Sequence, residues 1–285
     1  MGVGDTAHAR RSLVRLRVAL RIMLALMLVP GLPLLGMPLP GRTHIQRAYC
    51  RLVLRCFGVR ISVSGSVIRN LRGVLVVGNH MSWLDVFTIG AVLPGSFVAR
   101  ADMFTGAATG IVARLLRIIP IERTSLRRLP GVVDDVARRL RDGHTVVCFP
   151  EGTTWCGRSA DARSARTTDG PCRDGEQNGP HHQGCGPFYP AMFQAAIDAG
   201  RPVQPIRLTY RHVDGTVSTA PAYVGDDSLS RSIGRMLSVR RTLACVRVES
   251  LQLPGTDRRV LARRCQSAVH TRTGGHPGRG HMLVA

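Results

Sequence analysis

Apolar and polar positions follow two periods along most of this chain. Short β-branched or aliphatic runs at 59–63, 74–77, 96–99, 118–121, 145–149 and 202–210 read as strands. Between them, 82–93, 104–116, 129–141 and 190–199 carry helical spacing. The helix at 129–141 sets Val132, Val133, Val136 and Leu140 on one stripe, with Asp134, Asp135, Arg138 and Arg139 elsewhere, so one face is buried. A strand at 242–248 and a helix at 257–269 complete the pattern. Such alternation implies an α/β fold, a mostly parallel sheet covered by helices. In sheets of that kind the working residues collect beyond the carboxyl ends of the strands.

The first 57 residues follow a different pattern. An uncharged apolar run at 22–40 is preceded by Arg10, Arg11, Arg15, Arg17 and Arg21 and followed by Arg42, Arg47, Arg51 and Arg55. Its length suits a spanning helix of about 20 residues. Pro30, Pro33, Pro38 and Pro40 break its second half, which confines the expected helix to 17–29. Basic residues on both flanks fit a segment whose two ends stay on the cytoplasmic side. The expectation is therefore an N-terminal membrane-associated helical hairpin or in-plane anchor rather than a span. No small-residue cleavage site marks a secretory signal.

Residues 158–186 are rich in Gly, Ser, Thr, Asp and Arg and nearly devoid of aliphatics, as expected of a flexible insertion. The Gly- and Arg-rich tail at 271–285 is expected to be disordered. The chain then divides into an anchor at 1–57, an α/β domain at 58–270 and this tail.

Charge narrows the partners. A formal net charge of +21 calls for an anionic partner, yet all 39 basic residues are Arg, which points to coding composition more than to a binding design. Aromatic residues make up 5% and do not interleave with Arg clusters, which argues against nucleic acid and for a membrane surface. Eight Cys are scattered without a C-x-x-C pair, so neither a zinc site nor a disulfide framework is expected. His181 and His182 between Cys172 and Cys185 are the nearest approach to a metal site, and solvated loop residues are the preferred reading.

The stretch with most chemistry begins where the run at 74–77 ends, in Gly78-Asn79-His80-Met81-Ser82-Trp83-Leu84-Asp85. Ser82 to Asp85 has the form of a capping box with Ser82 as N-cap. His80 then lies in a strand-to-helix turn. In one continuous helix His80 and Asp85 would point about 140° apart, whereas a turn lets them meet. A carboxylate on one imidazole nitrogen fixes the tautomer and frees the other nitrogen to take a proton. No Ser or Cys stands in a nucleophile-elbow context, so the hydroxyl to be activated can belong to a substrate. From these residues alone the plainer reading, a polar turn and a helix cap, stays open.

Two more strand ends resemble the first in kind. The run at 118–121 leads into Glu122 and Arg123, and the one at 145–149 into Pro150-Glu151-Gly152-Thr153-Thr154. An Arg at such an edge can fork onto a phosphate, and a Gly-Thr turn offers N–H groups and hydroxyls to an anion or alcohol.

Together, Asn79-His80-x4-Asp85, Ile121-Glu122-Arg123, Phe149-Pro150-Glu151-Gly152-Thr153 and Val203-x-Pro205-Ile206 resemble the four ordered blocks of the glycerolipid acyltransferase family, over roughly residues 45–270. The resemblance implies O-acyl transfer from acyl-CoA or acyl carrier protein to the free hydroxyl of a lysolipid, without a cofactor or metal. Its leading acceptor is 1-acyl-sn-glycerol-3-phosphate. It assigns His80 as base and Asp85 as its orienting partner, Arg123 to the acceptor phosphate, Glu151, Gly152 and Thr153 to the glycerol end, and Gly78 and Asn79 to the turn and substrate edge. It places the protein on the cytoplasmic face of the membrane. The third block commonly continues with a basic residue where this chain has Thr154, which brings lyso-ornithine lipid forward as the alternative acceptor. Two readings of other classes remain: a non-catalytic basic membrane-binding protein, and a thioester hydrolase in which His80 activates water.

Overall fold

In the computed structural model of the chain, residues 3–67, 72–122, 126–154, 186–222 and 228–270 are described. The N-terminal segment is helical from its start: α1 (Val3–Leu28) passes through a 3-10 turn at Val29–Gly31 into the short α2 (Leu32–Gly36), and α3 (Arg42–Cys56) follows. The prolines act where their chemistry requires. Pro30 ends α1 and Pro33 sits in the first turn of α2, where a missing N–H costs nothing. The helix expected at 17–29 instead begins at Val3, since the arginines before it are good helix formers.

The alternating part contains β1 (Val59–Gly65), β2 (Leu75–Gly78), α4 (Leu84–Val92), β3 (Ser96–Arg100), α5 (Ala107–Leu115) and β4 (Ile119–Ile121). After these come α6 (Leu129–Arg141), β5 (Val146–Cys148), α7 (Ala191–Asp198), β6 (Val203–Arg211), α8 (Leu229–Ser238), β7 (Thr242–Val248) and α9 (Arg258–His270). The helix expected at 104–116 divides into a 3-10 turn at Ala101–Phe104 and α5, with Gly106 extended between them. Helices α3 and α8 were not anticipated by the periodicity. The insertion expected at 158–186, apart from Gly186, and the tail from 271 lie outside the described residues.

Among the described residues one seven-stranded sheet runs β1-β7-β6-β2-β5-β3-β4. Every neighbouring pair is parallel except β6 with β7. The sheet is thus mostly parallel and covered by helices, with the single reversal where α8 connects β6 to β7. Central β2 pairs Leu75 with Val146 of β5 and with Val203 of β6. Leu75 and Val77 pack on the side holding Val136, Phe193 and Leu261 of α6, α7 and α9. Val76 packs on the other, with Ile89 of α4 and Ile206. Burial on both faces explains why the run at 74–77 is continuously apolar. Cys50 and Leu54 of α3, Leu84 and Ala91 of α4, and Met236 and Leu237 of α8 form a third cluster, against which Val18, Ala25 and Leu28 of α1 pack.

Candidate active site

The site is built where β2 leaves the sheet. Gly78 approaches β6 so closely that a Cβ would stand 3.0 Å from Ile206 Cγ1 and 3.2 Å from its carbonyl oxygen. Beyond it the main chain peels away, and the Asn79 side chain takes over the pairing. Its Nδ2 donates to the Leu208 carbonyl at 3.0 Å, and its Oδ1 accepts from the Leu208 N–H at 2.8 Å. Asn79 is buried, so its amide serves β6 and turns His80 out over the strand end.

Asp85 holds that turn from the other side. Its carboxylate has no exposed surface. Oδ2 accepts from His80 Nδ1 at 2.9 Å, from Met81 N–H at 2.7 Å and from Ser82 N–H at 2.8 Å. Oδ1 accepts from Tyr210 Oη at 2.7 Å. Burying an ionised carboxylate is costly unless it is paired, and these four donors, with the N-terminus of α4, offset that cost. The His80 side chain, 21% exposed, presents its remaining nitrogen away from Asp85.

The helix start differs by one residue from the expected cap. Trp83 is the N-cap of α4, without a side-chain bond, while Ser82 Oγ accepts from Leu84 N–H at 3.2 Å. The bond from Ser82 N–H to Asp85 is the half of the capping box that forms. One carboxylate therefore caps the helix and orients the imidazole.

The end of β5 closes the site. Phe149 stacks on the His80 ring, with centroids 4.1 Å apart and planes 16° from parallel. Glu151 is buried, and its Oε2 accepts from the His80 backbone N–H at 2.7 Å. Gly152 adopts a φ of +73°, the left-handed conformation that favours glycine, and Thr153 is exposed. The structure thus brings Asn79, His80, Asp85, Glu151, Gly152 and Thr153 together, with Asn79 and Glu151 bonded to backbone. Arg123 lies outside the described residues; Glu122 before it pairs with Arg128, at the end of the edge strand β4.

The buried Ser82 hydroxyl and Cys148 thiol are not poised as nucleophiles. Ser82 is fully buried in its cap. Burial pushes the Cys148 thiol up to about 12, with Cys265 adding to the effect. Tyr210 is the site residue that sequence reasoning missed. Its signal was a phenol at the end of the alternating run Ile206, Leu208, Tyr210, where a buried hydroxyl demands a partner. Burial first, then the adjacent Asp85, pushes that phenol well above its ordinary value, so it remains a donor. Among the described residues no three His, Cys, Asp or Glu side chains are placed to hold a metal ion; Cys172, His181, His182 and Cys185 lie outside them.

Comparison with known proteins gives the family and the fold. Residues 60–209 match the family model described as Acyltransferase. A lyso-ornithine lipid O-acyltransferase of Pseudomonas aeruginosa is 30% identical over 232 residues, covering 81% of this chain and 78% of that protein. A 1-acyl-sn-glycerol-3-phosphate acyltransferase of Neisseria meningitidis is 30% identical over 191 residues, 67% of this chain and 65% of its own length. The crystal structure of the 1-acyl-sn-glycerophosphate acyltransferase of Thermotoga maritima shares the fold, with a TM-score of 0.58 and 16% identity over 92% of this chain and 95% of that one. With a matching model over more than half its length and a relative of this similarity, the chain belongs to the acyltransferase family.

Proposed function

We propose that this chain transfers a fatty acyl group from acyl-CoA or acyl carrier protein to the free hydroxyl of a lysolipid, with 1-acyl-sn-glycerol-3-phosphate as acceptor and phosphatidate as product. The observation that carries the proposal is the His80–Asp85 pair, in which a buried carboxylate fixes one ring nitrogen and leaves the other to the substrate. That nitrogen takes the proton of the acceptor hydroxyl as its oxygen attacks the thioester carbonyl. As the tetrahedral intermediate collapses, the C–S bond breaks and the imidazolium returns the proton to the departing thiolate. The commitment of Ser82 to its cap and the raised thiol of Cys148 support direct transfer, with no acyl-enzyme.

Glu151 and Asn79 serve this step by holding the turn that presents His80, and exposed Thr153, two residues beyond Glu151, is assigned the acceptor's glycerol end. Arg123 is assigned the acceptor phosphate. Thr154, in place of a basic residue, favours a second reading in which the acceptor is lyso-ornithine lipid, and the relative in Pseudomonas aeruginosa carries that name.

The membrane seat rests on α1. The segment Arg11–Gly36 is long and apolar enough to cross a bilayer. Yet Arg21, in its middle, is buried against the α/β domain and donates to the carbonyls of Met236, Leu237, Val239 and Arg240 at 2.6–3.2 Å. Gly58, where a Cβ would stand 2.1 Å from the guanidinium, leaves room for it. A helix held to the domain at that point lies in the plane of the leaflet, on the cytoplasmic face. Leu13, Leu16, Leu20, Met23 and Met27, all exposed, form the stripe it offers to lipid.

The test is purified chain supplied with acyl-CoA or acyl carrier protein and, separately, 1-acyl-sn-glycerol-3-phosphate and lyso-ornithine lipid. Transfer to the first acceptor supports the main reading, and transfer to the second alone moves the assignment to the alternative. Free fatty acid without transfer overturns both in favour of a hydrolase, and no turnover favours a binding protein. Arg123→Ala is expected to raise KM for the phosphate acceptor and to leave that for lyso-ornithine lipid unchanged.

A further inference from the structure

We propose that Tyr210, supported by Thr88, is a positioning residue for acyl transfer: it holds the Asp85 oxygen that His80 does not use, and so sets the pH range over which His80 works as a base. The proposal rests on the reading of His80 as the base.

The two carboxylate oxygens are treated differently. Oδ2 carries His80 and the N–H groups of Met81 and Ser82, all from the turn itself. Oδ1 accepts from Tyr210, which comes from β6, 125 residues further along the chain. An ionised carboxylate can only accept, so the phenol proton points at Asp85. Tyr210 Oη also lies 3.2 Å from Thr88 Oγ1. With the phenol proton committed, the Thr88 hydroxyl is the donor in that contact. Thr88 sits three residues beyond Asp85, one turn up the same face of α4. Tyr210 and Thr88 are both fully buried. A directed chain therefore runs from Thr88 to Tyr210 to Asp85 to His80, and each bond polarises the next.

Its effect follows from where the carboxylate charge is drawn. A strong donor on Oδ1 takes up part of the charge that would otherwise stabilise the imidazolium. Among the described residues, the groups bonded to or stacked on His80 are Asp85 of α4, Glu151 beyond β5, whose carboxylate holds the His80 N–H, and the apolar ring of Phe149. Removal of the phenol hydroxyl leaves Asp85 free to hold the imidazolium more tightly, so a larger share of His80 is protonated at a given pH. The base becomes available only at higher pH.

The test is the pH dependence of kcat/KM for full-length Tyr210→Phe, Thr88→Val and Thr88→Ser, with acyl-CoA and 1-acyl-sn-glycerol-3-phosphate or lyso-ornithine lipid. A second readout is the His80 ring titration by NMR on histidine-labelled protein, with His80→Ala identifying the signal. Tyr210→Phe is expected to move the acid limb and the ring titration up by about half a pH unit or more. Its kcat at neutral pH should fall about threefold or more, in step with that shift, with KM for donor and acceptor nearly unchanged. Thr88→Val should move both in the same direction by less, and Thr88→Ser should match the parent. Unshifted limbs and titrations overturn the proposal even if the rate falls, because loss of packing alone would lower the rate without moving either. If Tyr210→Phe does not fold, the contrast of Thr88→Val with Thr88→Ser decides it. Should the parent acylate neither lysolipid, the functional reading fails, while the NMR titration still decides whether Tyr210 governs the pair.

Discussion

The turn at His80 and the helix α1 solve opposite problems. At the turn, polar groups are buried and matched: Asp85 carries four donors, Asn79 uses both ends of its amide on Leu208, and Glu151 holds the His80 N–H. Along α1, apolar side chains are exposed and the polar anchor is Arg21, bonded to the carbonyls at the end of α8 and the approach to β7. Precision is stored where a proton must move, and unspent hydrophobic area is kept where a lipid surface can cover it. Substitutions in the first region should therefore change chemistry at little cost in seating, and those in the second should do the reverse.

The sharpest break of that contrast is His80→Ala. Loss of the base is expected to lower transfer by about 10³-fold or more. Because the ring is partly exposed, thermal unfolding should move little, and vesicle binding not at all; a comparable loss of fold would contradict the division. Next comes the α1 stripe. Leu16→Glu with Met23→Glu should weaken partitioning onto anionic vesicles by about a hundredfold or more, since each of the two apolar side chains contributes about 1.5–3 kcal/mol when covered and about 1.4 kcal/mol is tenfold. Turnover measured in detergent should be preserved. Replacing the anchor, Arg21→Leu, strips several carbonyls of a charged donor and should cost about 1.5–3 kcal/mol in denaturant unfolding, with faster proteolysis within α1.

The smallest effect concerns the buried thiols. Burial pushes Cys50, Cys148 and Cys265 each up to about 12, so at pH 8 they stay protonated and iodoacetamide should modify them only after unfolding. The sign follows from proton binding. Above the ordinary thiol value the unfolded chain releases these protons and the folded chain keeps them. Stability is therefore expected to fall as pH rises from about 9 towards 12, which denaturant titration at several pH values would measure.

The sequence carried the alternation of elements and the His80–Asp85 pair, because both are local. A run such as 74–77 declares its burial, and a five-residue spacing declares a turn. Helix α8 was missed although it has local signals, with Ser228 accepting from the Arg231 N–H as an N-cap and Ile233, Met236 and Leu237 on one face. The Ser and Arg residues that fill its first half hid it. In α3 the arginines drew attention to charge, although Ile45, Tyr49, Val53 and Cys56 keep helical spacing. What could not be read is what long-range pairing decides. The reversal of β7 against β6 and the bond from Tyr210 to Asp85 join residues far apart in sequence. So does the use of Asn79 and Glu151 on backbone: the motif names the residue, and only the fold gives its direction.

The central claim is that the His80 turn is a complete base whose nucleophile arrives with the acceptor. Initial rates measured over a matrix of acyl-donor and lysolipid concentrations test it most directly. Both substrates must be bound when His80 takes the proton, so the account predicts double-reciprocal lines that intersect. Parallel lines, the mark of an acyl-enzyme formed before the acceptor binds, would contradict it.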